Sequence, residues 1–321
     1  MTFIVKTARV SCTLSWPHSS SHALLRYDYA RADTYSSVLI CVNLWQKVFD
    51  LQPKGHTVMQ SNRVKKIIRE GGLALGAYVG GIADPQIVEI IGHSGFDAAF
   101  IDMEHTSFDL RDVQLMVMAA ERVGVSPIVR PPGFDPAFLL RLLDMGVQGL
   151  QIPHISNVQA ARAAVQAVRY PPLGDRGMAG ASRANDYGKV PMMEHLAQSN
   201  REITLALMIE DQQALDQLED IAKVEGVDLI VVGPSDMSRT LGVTGTPNHP
   251  KLLAVIERLQ AALKNGAGAK LALPINHPAL PRNAGELKAM GCAYANCAPS
   301  PEVRLMKSLQ AQADEMRKQL A

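Results

Sequence analysis

The sequence predicts a closed barrel of alternating strands and helices, a (β/α)₈ or TIM barrel. Three observations carry that expectation. After residue 59, short apolar runs alternate with amphipathic segments. Eight such pairs fit into about 250 residues, the usual size of this fold. Polar side chains capable of chemistry collect just after the apolar runs, where a barrel places its active site.

The runs cover residues 73–79, 97–101, 126–129, 149–152, 204–209, 228–232, 269–273 and 292–295. They are short and apolar nearly throughout, as parallel strands buried on both faces must be. Helices are expected between them. Asn62 or Ser61 can cap one that carries Val64, Ile67 and Ile68 and stops at Gly71 and Gly72. Asp109, Asp135 with Pro136, Asn157, and Asn248 with Pro250 each mark a later helix start, and a last helix runs from Pro301 toward Leu320. A doubly wound open sheet is the competing architecture. It would usually carry a glycine-rich phosphate loop after its first strand, and Gly76, Gly80 and Gly81 lack that spacing.

Composition narrows the ligand. The chain has 321 residues, is 47% hydrophobic, and balances 32 basic against 31 acidic side chains for a net charge of +1. The basic residues are scattered and aromatics make up only 5%, which argues against a nucleic-acid surface. No apolar run reaches the roughly 18 residues of a membrane span. The cysteines, Cys12, Cys41, Cys292 and Cys297, form no CxxC pair or zinc spacing. That usage suits a reducing compartment, and a cytoplasmic protein is expected. The expected partner is a small molecule, with neither nucleic acid nor membrane.

Residues 1–58 show no sustained period and read as an atypical extension, disordered or not native. Residues 59–321 read as a single barrel domain ending in the C-terminal helix.

The strand ends carry the chemistry. The second run leads into Asp102, Glu104 and His105, the third into Arg130, the fifth into Glu210 and Asp211, and the sixth into Gly233, Pro234, Ser235 and Asp236. Taken singly, each has a plain structural reading. Asp211 fits a helix cap, Arg130 a rim ion pair, and His105 a satisfied buried histidine. Convergence on one rim favours a site. Glu210 and Asp236 offer the hard oxygens that Mg²⁺ or Mn²⁺ prefers, with Co²⁺ a further candidate. Such a cation could polarise the keto group of a 2-keto acid. Arg130 would hold the keto oxygen as charge develops there. His105 would move a proton, with Asp102 orienting its ring. A Schiff-base aldolase would need a lysine near a strand end, and Lys270 sits at the beginning of its strand instead.

At this point the residues resemble a known family, the HpcH/HpaI aldolase/citrate lyase family of class II pyruvate aldolases. The resemblance spans roughly residues 62–260. Gly95-Phe96-Asp97 leads to Ile101-Asp102-Met103-Glu104-His105, and Pro127-Ile128-Val129-Arg130 follows. Leu142-Leu143-Asp144-Met145-Gly146, Ile152-Pro153 and Tyr170-Pro171-Pro172-Leu173-Gly174-Asp175-Arg176-Gly177 come next. Ile209-Glu210, Val232-Gly233-Pro234-Ser235-Asp236-Met237-Ser238, Leu241-Gly242 and His249-Pro250 complete the match. The resemblance implies that Glu210 and Asp236 hold the metal, that Arg130 holds the keto oxygen, and that His105 with Asp102 handles the proton. It implies that Gly233, Pro234, Ser235 and Tyr78 line the substrate pocket. It also implies that Asp144 contributes to catalysis across a subunit interface, in a hexamer built as a trimer of dimers that often exchange a C-terminal helix. Backbone amides from Gly177 to Ala181 are further candidates for the substrate carboxylate. Departures from the family pattern fall at Met208, where many members have a polar residue, and in the seventh and eighth strands. There the chain reads Leu273-Pro274-Ile275-Asn276-His277 and Asn296-Cys297-Ala298-Pro299. His277 could reach the pocket, but a loop histidine before a proline is more often merely exposed.

The expected activity is cleavage of a 4-hydroxy-2-oxo acid into pyruvate and an aldehyde. Decarboxylation of oxaloacetate would need the same enolate pocket and stays open as a second reading. A non-catalytic binding barrel is the third.

Overall fold

The computed structural model describes the strands β1 (Phe3–Thr7), β2 (Val10–Ser15) and β3 (Leu24–Asp28) together with residues 61–320. The chain divides into two units, Met1–Thr57 and Val58–Ala321. In the first unit the three strands form an antiparallel sheet in the order β1-β2-β3. This sheet lies inside the stretch read from sequence as disordered or not native. The rest of that stretch lies outside the described residues.

The second unit is the barrel. Its strands are β4 (Ala74–Val79), β5 (Ala98–Asp102), β6 (Ser126–Arg130), β7 (Gly149–Ile152), β8 (Thr204–Ile209), β9 (Leu229–Val232), β10 (Lys270–Ala272) and β11 (Cys292–Cys297). All neighbours are parallel, and β11 pairs with β4 to close the ring, with Tyr294 beside Ala74. The eight expected runs are these eight strands.

Closure sorts the side chains by a period of two. On β5, Ala98 and Phe100 join an inner cluster on the barrel axis, while Ala99 and Ile101 pack outward against the helices. On β8, Ala206 and Met208 face the axis, while Leu205, Leu207 and Ile209 face the helix layer. The outer layer is the larger core, and the inner cluster is small.

The predicted caps form, with one exception. Asp109 accepts from Arg111 and Asp112 in a capping box, and Asp135, Asn157 and Asp211 each accept from their first turns. Asp211 thus takes its structural reading. The helix Pro250–Lys264 is capped by His249 rather than Asn248, because Asn248 turns left-handed with φ 54°. A 3₁₀ turn at Arg183–Gly188 and a helix at Met192–Glu202 precede β8, and the sequence reading did not find them. Among the described residues, no helix is long and apolar enough to cross a membrane.

The helix Arg63–Arg69 plugs the N-terminal end of the barrel. Val64, Ile67 and Ile68 pack onto the inner cluster. Its cap, Asn62, is fully buried. The Asn62 amide donates to Gln148 O, Glu202 O and Thr204 Oγ1 at 2.7, 2.7 and 3.0 Å, and its Oδ1 accepts from Lys65 N and Ser126 Oγ at 3.0 Å each. Beside it, buried Arg169 donates to Ile203 O at 2.8 Å and to Asp228 Oδ2 at 2.8 Å, and Asp228 also accepts from Lys65 Nζ at 2.5 Å. This end of the barrel is a stability network. Replacing Asn62 with Ala strands several buried groups and removes a cap. We expect a loss of about 2–4 kcal/mol in unfolding free energy, measured as a lower urea midpoint at unchanged slope. A midpoint equal to wild type would show that the plug does not depend on this amide.

Candidate active site

The opposite rim carries the charged residues. Asp102 ends β5 and Arg130 ends β6, directly across the ladder from each other. The register therefore hands the guanidinium to the carboxylate. Arg130 Nε and Nη2 donate to Asp102 Oδ1 and Oδ2 at 2.7 Å each, a two-pronged pair. Arg130 Nη1 lies 2.9 Å from Glu104 Oε2. The Tyr78 hydroxyl donates to Asp102 Oδ2, and Glu104 N donates to Asp102 Oδ1 at 3.1 Å. Asp102 is wholly buried. Burial pushes its carboxyl up, but the Arg130 bonds and charge, with Tyr78 and the Glu104 amide, outweigh this and hold it below the usual range. Burial, and then the bond to Asp102, pushes the Tyr78 phenol well above its ordinary value, so it stays a donor.

This corrects one expectation. Asp102 bonds Arg130 and Tyr78 rather than the His105 ring. His105 is 63% exposed in its side chain, with Nε2 3.7 Å from Glu104 Oε2. The buried carboxylate pairs with the permanent cation that shares its ladder rung, and the loop that follows carries His105 out to the mouth.

Glu210 follows β8 and is nearly buried. Its Oε1 accepts from the His154 main-chain N–H at 2.9 Å and lies 3.0 Å from His154 Nδ1. His154 Nε2 is 2.8 Å from Glu104 Oε1, so the ring bridges two acids. His154 holds a left-handed backbone, φ 55°, just after β7. The strand-end rule, applied to the fourth run as it was to the others, would have found it. Gly233 faces the other side of Glu210, and a methyl there would fall 2.8 Å from Glu210 Oε2. Glycine lets this carboxylate sit undisplaced at the foot of the Pro234–Thr240 helix. Asp236, in the first turn of that helix, is half-buried and loosely held by Arg239 at 3.4 Å. Burial is the main cause that raises the Glu210 carboxyl above its ordinary value. His154 opposes it, and Glu104 and Asp236 add to it. Glu210 and Asp236 are the side chains that could hold a hard cation.

A cavity of about 430 Å³ opens at this rim. Tyr78, His105, Arg130, Gly233, Pro234, Ser235 and Asp236 line it. Asp102 and Glu210 stand behind that lining. His277 lines it too, the less favoured of its two readings. Its Nδ1 accepts from Ala279 N at 3.1 Å, which leaves the proton on Nε2, 3.0 Å from Ser235 Oγ. Burial lowers its tendency to charge. Among the described residues no lysine lines the cavity, and Lys270 starts β10 at the other rim.

Asp144 is not brought to this cavity within the chain. It ends the helix Pro136–Asp144, which returns to the N-terminal side of the barrel, and it pairs with Arg176 at 2.7 Å. Arg176 lies over the Tyr170 ring, 4.5 Å from its centre. Gly177 to Ala181 follow in the same loop and likewise do not line the cavity.

Known proteins resemble this chain in sequence and in fold. A pyruvate aldolase from Rhizobium etli is 40% identical over 203 residues, 63% of this chain and 79% of that protein. A 5-keto-4-deoxy-D-glucarate aldolase from Citrobacter koseri is 37% identical over 203 residues, 63% of this chain and 78% of its own length. The crystal structure of an HpcH/HpaI aldolase from Desulfitobacterium hafniense superposes with a TM-score of 0.71 at 30% identity, covering 80% of this chain and 97% of that one. The model of HpcH/HpaI aldolase/citrate lyase matches residues 75–291. On the barrel, the rim and these matches together, the chain belongs to the HpcH/HpaI aldolase/citrate lyase family.

Proposed function

We propose that this protein is a divalent-metal-dependent aldolase that cleaves a 4-hydroxy-2-oxo acid to pyruvate and an aldehyde. The observation that carries the reading is the placement of Arg130. It is held on two prongs by Asp102, braced by Glu104, and faces a cavity that also meets Asp236. A guanidinium fixed this way needs no reorganisation when negative charge develops on a keto oxygen.

The residues fit a metal. Glu210 sits close against Gly233, where a methyl group would crowd its Oε2 at 2.8 Å. The carboxylates of Glu104 and Asp236 repel it, and a cation would relieve that repulsion. Among the described residues no cluster of three or more His, Cys, Asp or Glu side chains forms a ligand set. Glu210 and Asp236 would hold such a cation as a pair. A bound Mg²⁺, Mn²⁺ or Co²⁺ would supply Lewis-acid polarisation of the keto group.

The chain's own residues account for the rest. Arg130 donates to the keto oxygen and stabilises the enolate formed when the C3–C4 bond breaks. The electron pair of that bond moves toward C2 and its oxygen. His105, at the mouth, takes the proton of the C4 hydroxyl as the aldehyde forms. The same group, or water beside it, returns a proton to C3 to release pyruvate. Apolar Phe100, Val231 and Leu273 limit water around the enolate.

The assembly is also a proposal. The helix Pro301–Leu320 has no buried residue, and Leu305, Met306, Leu309 and Met316 are all exposed. That apolar face supports a homo-oligomer, a hexamer formed as a trimer of dimers. Asp144 then has a route to a neighbouring site that it lacks within one chain.

Three outcomes test this reading. Pyruvate in D₂O should lose its methyl proton signal when Mg²⁺ or Mn²⁺ is added, and Arg130→Ala should slow that exchange by a factor corresponding to about 3 kcal/mol. Absence of exchange with any of the three metals would move oxaloacetate decarboxylation to the front. Metal affinity, followed by titration calorimetry, should weaken as pH falls, beginning above the ordinary glutamate value of about 4.3. The cause is that Glu210 takes up its proton early. Without metal the sign reverses: the raised folded value favours folding at low pH, and that contribution is lost as pH rises through it. In sedimentation velocity the wild type should run as a hexamer and the Leu305→Glu/Leu309→Glu variant as smaller species; a monomeric wild type would refute the assembly.

A further inference from the structure

The wall of the cavity made by β11 takes no part in the enolate chemistry described above, yet it is polar. Tyr294 and Asn296 are two apart on that strand, so both face the barrel axis, opposite Ala74 and Gly76 of β4. Both line the cavity. Tyr294 is only 2% exposed. Neither its hydroxyl nor Asn296 Oδ1 has a hydrogen-bond partner among the described residues. The backbone around them is firmly set, with Leu273 N donating to Tyr294 O at 3.3 Å and Ile275 N to Asn296 O at 2.9 Å.

Gly76 brings the two atoms together. A methyl group on it would fall 2.1 Å from the Tyr294 hydroxyl and 2.9 Å from Asn296 Oδ1. Both atoms therefore crowd one point, close enough to meet a single small group. Around them stand Ala272 and Val231, which are small and uncharged. Burying an alcohol and an amide oxygen without partners is unfavourable, so a ligand that satisfies both gains more than ordinary contact.

The pair selects its ligand by chemistry. A phenol donates, and an amide oxygen only accepts. An alcohol hydroxyl does both at once, accepting from Tyr294 and donating to Asn296. A carboxylate or phosphate would face the amide oxygen with like partial charge, and a methyl group would leave both atoms unpaired. Arg130, Glu210 and Asp236 belong to β6, to β8 and to the helix after β9, so β11 stands across the axis from the enolate end. We infer that Tyr294 and Asn296 form a subsite for an alcohol hydroxyl on the aldehyde half of the substrate. The enzyme therefore prefers a hydroxylated aldehyde to the aldehyde that carries a methyl group in place of that hydroxyl. This inference rests on the aldolase reading.

The test separates the two. Deuterium exchange into pyruvate in the wild-type protein reports on the enolate without any aldehyde. Aldol addition to pyruvate is then measured for glycolaldehyde against propanal and for 3-hydroxypropanal against butanal, two matched pairs that differ in where the hydroxyl sits. In the wild type, kcat/KM should favour the hydroxylated member of at least one pair by roughly tenfold or more. Tyr294→Phe and, separately, Asn296→Ala should each reduce that ratio about tenfold, chiefly through KM. Exchange with no preference in either pair, or with the same preference in all three proteins, would overturn the subsite and leave the aldolase reading standing. Absence of exchange would overturn the aldolase reading and this inference with it.

Discussion

Closing eight parallel strands into a ring leaves one narrow axis onto which every second side chain must point. That constraint organises the whole barrel. At the N-terminal end the axis is stopped by the Arg63–Arg69 helix and the Asn62 amide. In the middle it is filled by Phe100, Ile128, Met208 and Val231. At the C-terminal end it turns polar, with Tyr78, Asp102 and Arg130. Along β6 one strand passes through all three zones, from Ser126, which accepts from Arg63 N at 2.9 Å, through Ile128, to Arg130.

The two charged ends use similar residues for different purposes. At the lower end, Arg169 and Asp228 are tied to main-chain groups of neighbouring strands, and each prong finds a fixed partner. Such pairing holds the strands in register and leaves nothing to react. At the upper end, Arg130 is equally well held, but the acids around Glu210 are in surplus and one of them, Asp236, is only loosely paired. A surplus of like charge next to a preorganised cation costs stability, as functional sites often do.

Much of this was legible in the sequence because it follows from period and position. Fully apolar runs marked the eight strands, and residues directly after them marked the rim. The same rule reached Arg130, Glu210 and Asp236. It failed where the answer depends on contacts across the ring. The pairing of Asp102 with Arg130 rather than His105 is a matter of register between two strands. His154 stands at a strand end that the same rule would have reached, and only its bridge between Glu104 and Glu210 depends on contacts across the ring. His277 depends on the path of a loop that folds back onto Ser235. Asp144 was placed by resemblance alone, and its own helix carries it to the far end of the barrel.

The strand that supplies Tyr294 and Asn296 is also the one that closes the ring, and it is the last strand of the chain. Until it is made, β4 and β10 each present a bare edge, open to pairing with another chain. A nascent polypeptide on the ribosome therefore passes through a stage in which nearly all of the barrel exists but one wall of the pocket does not. Fidelity of synthesis and access to catalysis are thus joined at one seam. A chain cut short before Cys292 would be both inactive and adhesive, a form that cellular quality control can recognise by its open edges.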